Sequence, residues 1–178
     1  MKKINKEHGY DLSLLQYIGE GTQGKVYRIN DLTCIKIFKK KDTCKKEIET
    51  LTMAQGNKFF PTLYSFGEKF VIREFVKGIE LDKYLKNNPL TLDLSKKLID
   101  IYGALGNVGY KRQDTALLHI FIDSKDGLKL IDTAKAMSKS YRYPKIIMND
   151  LKNLGLKDTF LSHVKQLNPG LYNYLSNK

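Results

Sequence analysis

The chain has 178 residues and a formal net charge of +12, with 31 Lys and Arg against 19 Asp and Glu. At 42% hydrophobic and 11% aromatic it has globular composition, enough to bury a core in one domain or two small lobes sharing a cleft, which excludes a disordered chain. No run approaches the ~18 apolar residues of a bilayer span, so an integral membrane protein is excluded, and Met1–Tyr17 lacks the roughly 7–15-residue apolar stretch of a secretory signal, so a cytoplasmic protein is expected.

Strand signals dominate the first seventy-odd residues. Tyr17-Ile18 lead into a glycine-rich bend, Gly19-Glu20-Gly21-Thr22-Gln23-Gly24, and Lys25–Ile29 then alternates polar residues with β-formers. Asn30-Asp31 is a tight-turn pair, and Leu32–Phe38 reads as the returning strand of a three-strand meander. Residues 42–54 read as a helix, with Asp42 or Thr43 as N-cap and Ile48, Leu51 and Thr52 on its apolar face. Two strands follow, Thr62–Phe66 and Phe70–Phe75, joined by a turn at Gly67-Glu68.

Beyond Gly78 the pattern turns helical. Glu80–Leu85 is a short candidate, and Thr91–Leu105 places Leu94, Leu98, Ile101, Tyr102 and Leu105 at helical spacing. Leu117–Ile122 and Leu128–Ile131 form a hairpin around the turn Asp123–Gly127. Residues 146–156 and 158–167 read as helices, the second broken at Asn168-Pro169-Gly170.

A lone glycine-rich bend is weak evidence for a phosphate site, because a flexible hairpin has the same composition. These glycines bridge antiparallel strands, not the strand and helix of a dinucleotide-binding unit. Without side chains there, the loop is able to lie over phosphates and donate backbone N–H groups. Lys36 lies mid-strand on the face opposite Ile35 and Ile37, and Glu47 on the next helix is placed to pair with it, with Glu49 as the competing partner. Asp114 reads equally as a turn or N-cap residue ahead of Thr115, and Asp132 as a turn residue at a strand end. Cys34 and Cys44 are too few for a disulfide framework or a four-ligand zinc site and read as reduced thiols.

Taken together, these segments resemble the eukaryotic-type protein kinase superfamily, especially its small, atypical microbial members, over roughly Tyr17 to Met137. Gly19–Val26 is similar to the family's glycine-rich loop, Cys34-Ile35-Lys36 to its V-A-I-K strand, and Glu47 to its helix glutamate. Val71–Gly78 resembles the inter-lobe hinge, with Arg73 at the gatekeeper position. Arg112-Gln113-Asp114 stands for H-R-D, and Leu130–Ala134 for the D-F-G segment. His119 occupies the metal-binding Asn position, thirteen residues before Asp132.

The resemblance implies an α+β, bilobal protein-kinase-like fold in one domain, residues 1–178. Its β-rich N-lobe covers about residues 10–75, with one main helix. A hinge at about 74–78 leads to a truncated, mainly helical C-lobe at about 79–178. It implies ATP as phosphoryl donor with Mg²⁺ or Mn²⁺, held by Gly19, Glu20, Gly21, Thr22, Gln23, Gly24, Val26, Lys36 and Glu47. Backbone groups of Glu74 and Val76 would meet the adenine, and Asp132 and His119 the metal. Asp114 and Lys36 are the implied catalytic residues, with Ser or Thr of a protein as acceptor.

Four departures qualify that activity. His119 replaces the Asn, and imidazole suits transition metals better than Mg²⁺. Ala116 replaces a phosphate-contacting Lys, Thr133-Ala134 replaces Phe-Gly, and no A-P-E segment follows. Asp150 reads either as an anchor of the catalytic loop or as a solvated helix residue. Tyr141–Pro144 reads as a substrate-facing loop or as a turn before a helix. The expected partners are a nucleotide and a protein substrate or regulatory protein, with no membrane. The alternatives are a nucleotide-binding pseudokinase acting as an interaction module and a small-molecule kinase. The basic excess, with clusters at Lys39–Lys41 and Lys45-Lys46, keeps nucleic acid open as well.

Overall fold

The computed structural model describes residues 8–125 and 127–177. Met1–Glu7, the start of the segment expected to carry no secretory signal, and Asp126 of the hairpin turn lie outside the described residues. The chain is α+β and divides into two compact units. The first holds the described residues up to Val76 together with Asp132–Lys135, and the second holds Lys77–Ile131 and the described residues from Ala136 onward.

The first unit is a five-stranded antiparallel sheet built from β1 (Gln16–Glu20), β2 (Gly24–Arg28), β3 (Thr33–Phe38), β4 (Leu63–Phe66) and β5 (Phe70–Glu74), in spatial order β1-β2-β3-β5-β4. In central β3 the two-residue period sends Cys34, Lys36 and Phe38 to one face and Ile35 and Ile37 to the other. Helix α1 (Lys41–Met53) covers the first face, where Phe38, Val71, Cys44 and Leu51 form a buried cluster with Ile48 and Leu63 beside it. The opposite face buries Ile35, Phe70 and Ile72 under Tyr10, Leu12 and Leu15, so the segment before β1 is a lid on the sheet.

Helix α1 departs from expectation at its start. Its N-cap is Lys40, in extended conformation and without a side-chain cap bond, while Asp42 lies inside the first turn and there complements the helix dipole. Thr52 is exposed, and the buried face runs through Cys44, Glu47, Thr50 and Leu51. A buried polar residue such as Glu47 is invisible to an apolar-periodicity reading.

The second unit contains a three-stranded sheet, β6 (Ile79–Glu80), β7 (Ile120–Ile122) and β8 (Leu128–Leu130), ordered β6-β7-β8. The expected helix at Glu80 begins one residue later, as α2 (Leu81–Tyr84), because Glu80 pairs with Phe121 in the sheet. Leu117–His119, expected as strand, is a turn of 3₁₀ helix. Thr91 caps α3 (Leu92–Asn107) by accepting the Leu94 N–H at 3.1 Å. Tyr102, expected on the apolar face of α3, is half-buried and donates its hydroxyl to the Arg142 carbonyl at 2.6 Å.

Helices α4 (Lys145–Asn153) and α5 (Lys157–Leu167) follow. The break after α5 opens a further helix, α6 (Pro169–Ser176), because Asn168 accepts the Leu171 N–H and Pro169 suits the first turn. Leu98, Ile101, Leu117, Leu151 and Val164 are fully buried at the centre of this unit. Among the described residues, no helix is long and apolar enough to cross a membrane.

Candidate functional site

In the first unit, strand alternation and helix spacing bring two opposite charges together under the sheet. Lys36 points to the α1 face of β3, and Glu47 is one turn before Leu51 on the buried side of α1. The Lys36 Nζ lies 2.5 Å from Glu47 Oε2, with Glu47 fully buried and Lys36 8% exposed. Glu49, the competing partner, is exposed. The Lys36 ammonium also lies 4.6 Å from the centre of the Phe38 ring. Burial pushes the Glu47 carboxyl above the usual range, against the pull of Lys36 and of the buried Arg73 guanidinium.

Two buried atoms in this region lack a hydrogen-bond partner among the described residues, Glu47 Oε1 and Arg73 Nε. Arg73 donates from its terminal nitrogen to the Glu74 carbonyl at 3.1 Å. Arg73 is therefore a buried cation whose charge acts on Glu47.

Gln23, at the tip of the glycine-rich bend, links this pair to Asp132. Lys36 donates to Gln23 Oε1 at 3.1 Å, and Gln23 Nε2 donates to Asp132 Oδ2 at 3.3 Å. The other Asp132 oxygen accepts the Ala134 N–H at 3.2 Å. Lys36, Glu47, Gln23 and Asp132 thus form one connected polar cluster.

The other residues of the bend and of the strands beside it make contacts of their own. Gly21 donates its N–H to the Gly24 carbonyl at 2.9 Å, closing the bend. Gly24 packs against the Ile37 carbonyl with no room for a Cβ, whereas Gly19 and Gly21 face open space. Glu20 is turned outward in ion pairs with Lys39 and Lys25, and Thr22 is exposed. Val26, opposite Lys36 in the sheet, is half-buried, as is Val76. The Glu74 N–H donates to the Thr62 carbonyl at 2.8 Å, and its carboxylate accepts the Thr62 N–H at 3.2 Å, so its backbone donor is committed to the sheet margin.

In the second unit Asp114 is buried, and its two oxygens accept the Ile146 N–H at 3.0 and 3.1 Å. Asp114 is therefore a remote cap for α4, which has no side-chain cap of its own at Pro144. No helix begins at Thr115, so the local N-cap gives way to a cap on α4, while the Thr115 N–H still acts on the carboxylate. Burial pushes the Asp114 carboxyl up, opposed by the N–H groups of Ile146, Ile147 and Thr115 and by the charge of Arg112. Arg112 lies over the Tyr141 ring at 5.7 Å and donates its backbone N–H to the Ala136 carbonyl.

Asp150 accepts the Leu117 N–H at 2.9 Å, which makes it an anchor of the segment following Asp114 and not a solvated helix residue. Tyr141–Pro144 leads directly into α4. His119 is half-buried, with its carbonyl accepting the Ile131 N–H at 3.0 Å. His119 and Asp132 fall in different compact units, and no group of three or more His, Cys, Asp or Glu suited to a metal occurs among the described residues.

No protein-family model matches the chain. A protein of Bacillus subtilis (strain 168) named "Putative serine/threonine-protein kinase YrzF" is 23% identical over 136 residues. The match covers 73% of this chain and 62% of that protein. The chain is distantly similar to a kinase-named protein.

Several of the structural roles described here have no sequence signal. The Gln23 bridge and the Asp114–Ile146 cap join residues 109 and 32 positions apart, respectively, with no spacing rule to reveal them. Arg73 was legible as an exceptional residue at its position, but its burial beside Glu47 follows only from the β3–β5 register that sets it opposite Cys34.

Proposed function

We propose that the protein transfers a phosphoryl group from ATP to Ser or Thr of a protein substrate. The observation that carries this reading is the connected cluster Glu47–Lys36–Gln23–Asp132, a buried ion pair and a second carboxylate beneath a glycine-rich bend. Phosphoryl transfer depends mainly on positioning and charge neutralisation, and this cluster supplies both. Glu47 aims the Lys36 ammonium, which would hold phosphate oxygens. The open space at Gly19 and Gly21 leaves room for phosphates against the loop backbone.

The donor set fits a hard cation bound in part by phosphates. Asp132 offers carboxylate oxygen, and Mg²⁺ is commonly held by one or two carboxylates together with substrate phosphates. A divalent ion there would neutralise charge on the phosphates. Imidazole is a poor match for such oxygen-seeking ions, so this reading assigns the cation to Asp132 and phosphate oxygens and gives His119 no part in it. Asp114 would orient the acceptor hydroxyl and take its proton, a role served by its upward-pushed carboxyl.

Gln23 favours a second reading, a nucleotide-binding pseudokinase. Its amide occupies both Lys36 and Asp132 in this structure. The deciding experiment measures ATP binding and ³²P incorporation with Mg²⁺ and with Mn²⁺, in wild type and in Lys36→Ala, Asp114→Ala and Asp132→Ala. Metal-dependent incorporation that is lost in Asp114→Ala while ATP binding persists supports the kinase. Binding without incorporation supports the pseudokinase, and absence of binding with either metal defeats both.

A further inference from the structure

The second unit carries an open cavity of about 450 Å³ whose wall includes Asp114, Arg112, Lys139, Tyr141, Lys145 and Ile146. Three of these are cations and one is an anion, and the anion is already engaged by the Ile146 N–H. Arg112 is fixed over Tyr141, which holds its charge at the wall. Lys139 and Lys145 are exposed and form no ion pair among the described residues. Lys145 is the first residue of α4, where a cation opposes the helix dipole, and no acidic residue occupies that turn. The wall therefore keeps a net excess of positive charge, with Asp114 offsetting only one of its three cations.

We propose that this cavity selects acceptor segments carrying Asp or Glu beside the hydroxyl to be modified. The inference rests on Asp114 being the carboxylate that orients the acceptor. A hydroxyl brought to Asp114 would place its flanking side chains along the wall formed by Arg112, Lys139 and Lys145. Carboxylates at those flanks complement the wall, whereas basic flanks are repelled by it. The volume accommodates a few side chains, in keeping with a short peptide segment.

The test uses the full chain and two fluorescein-labelled peptides, one with a central Ser flanked by Glu and one with the same Ser flanked by Gln. Binding is read by fluorescence anisotropy without ATP, and phosphate incorporation is read separately. The variant Lys139→Glu/Lys145→Glu is compared with Lys45→Glu/Lys46→Glu, an equal change in net charge on exposed positions of α1. A glutamate at position 145 suits the start of α4, so the site variant keeps its fold.

The expected result is about tenfold weaker binding of the Glu peptide to the site variant, less than twofold to the control, and no change for the Gln peptide. Equal weakening in both variants would reduce the effect to overall charge and overturn the proposal, as would no weakening in either. Incorporation at equal kcat/KM into both peptides overturns it while leaving the kinase reading intact. Site-dependent binding with no incorporation keeps the acidic-peptide site and removes the phosphoryl-transfer reading.

Discussion

Thr50 and Thr133, 83 residues apart in sequence, share a buried hydrogen bond of 2.8 Å between their hydroxyls. It ties the residue after Asp132 to helix α1, at a position where the resembling family keeps an aromatic. The Thr50 hydroxyl also lies 2.9 Å from the Lys46 carbonyl and 3.1 Å from that of Glu47. Those oxygens only accept, so Thr50 donates to the helix and Thr133 donates to Thr50. The two substitutions are therefore unequal. Thr133→Val removes a donor and costs about 1 kcal/mol, whereas Thr50→Val strands a buried hydroxyl and costs about 1–3 kcal/mol. Urea denaturation of both variants measures the difference, and equal costs would refute the donor assignment.

Removing one partner of the Lys36–Glu47 pair leaves the other charge buried. Lys36→Met is expected to destabilise the protein by about 3–5 kcal/mol, because Glu47 is fully enclosed and its second oxygen has no partner among the described residues. Lys36→Met/Glu47→Leu should recover much of that loss, since an apolar pair of similar volume is often neutral. A double-mutant cycle by chemical denaturation checks this. It also guards the activity test, where loss of nucleotide binding in a Lys36 variant has to be separated from loss of fold.

The three glycines of the bend differ in what the fold asks of them. A Cβ on Gly24 would run into the Ile37 carbonyl, so Gly24→Ala must push β2 from β3 and lower stability by about 2–4 kcal/mol. Gly19 and Gly21 have nothing within 4 Å of such a Cβ. Their alanine variants are expected to melt within about 2 °C of wild type while weakening ATP binding at least threefold, through the closer approach that glycine allows. Thermal melts and nucleotide titration on the same samples decide it. Unchanged ATP affinity in both would remove the phosphate role of the bend.

The sheet and the Lys36–Glu47 pair were legible because each follows from a short-range period. Alternation put Lys36 opposite Ile35 and Ile37, and helix spacing put Glu47 on the side of Leu51. Long-range hydrogen bonds have no such trace. Nothing near Asp114 announces that it caps a helix beginning at Lys145, and the sequence offers only a local turn or cap ahead of Thr115 beside the catalytic reading. The start of α1 departs from its sequence signal for a related reason: Asp42 has the chemistry of a cap, but the helix already begins at Lys41. Helix α6 has an ambiguous signal, because Asn168-Pro169-Gly170 reads as a terminator although Asn and Pro are also favoured where a helix begins.

Gln23 competes with any ligand for both of its partners. A phosphate approaching Lys36 and a cation approaching Asp132 each have to displace the same amide. Gln23→Ala removes the competitor and is expected to tighten binding of a fluorescent ATP analogue with Mn²⁺ by about five- to tenfold, the worth of a hydrogen bond to a charged group less the loss of loop order. Weaker binding in this variant would mean that Gln23 supports the nucleotide and does not obstruct it.

The Asp114 carboxyl, raised above the ordinary 3.8 by burial, has opposite consequences for stability and for turnover. A raised carboxyl contributes stability that is fully present below its unfolded value and is lost as pH rises through its folded value. Asp114→Asn keeps a capping oxygen for Ile146 without a buried charge, so at neutral pH it is expected to be at least as stable as wild type, and that advantage should shrink as pH falls towards the ordinary aspartate range. Turnover runs the other way, because a proton acceptor must be ionised. Under the kinase reading, kcat/KM should fall on the acid side with a midpoint above 3.8, and Asp114→Asn should lose about 10²–10⁴-fold at every pH. Paired stability and activity profiles across pH separate the two effects. A variant that loses stability and activity in equal measure would leave Asp114 only its structural role at the start of α4.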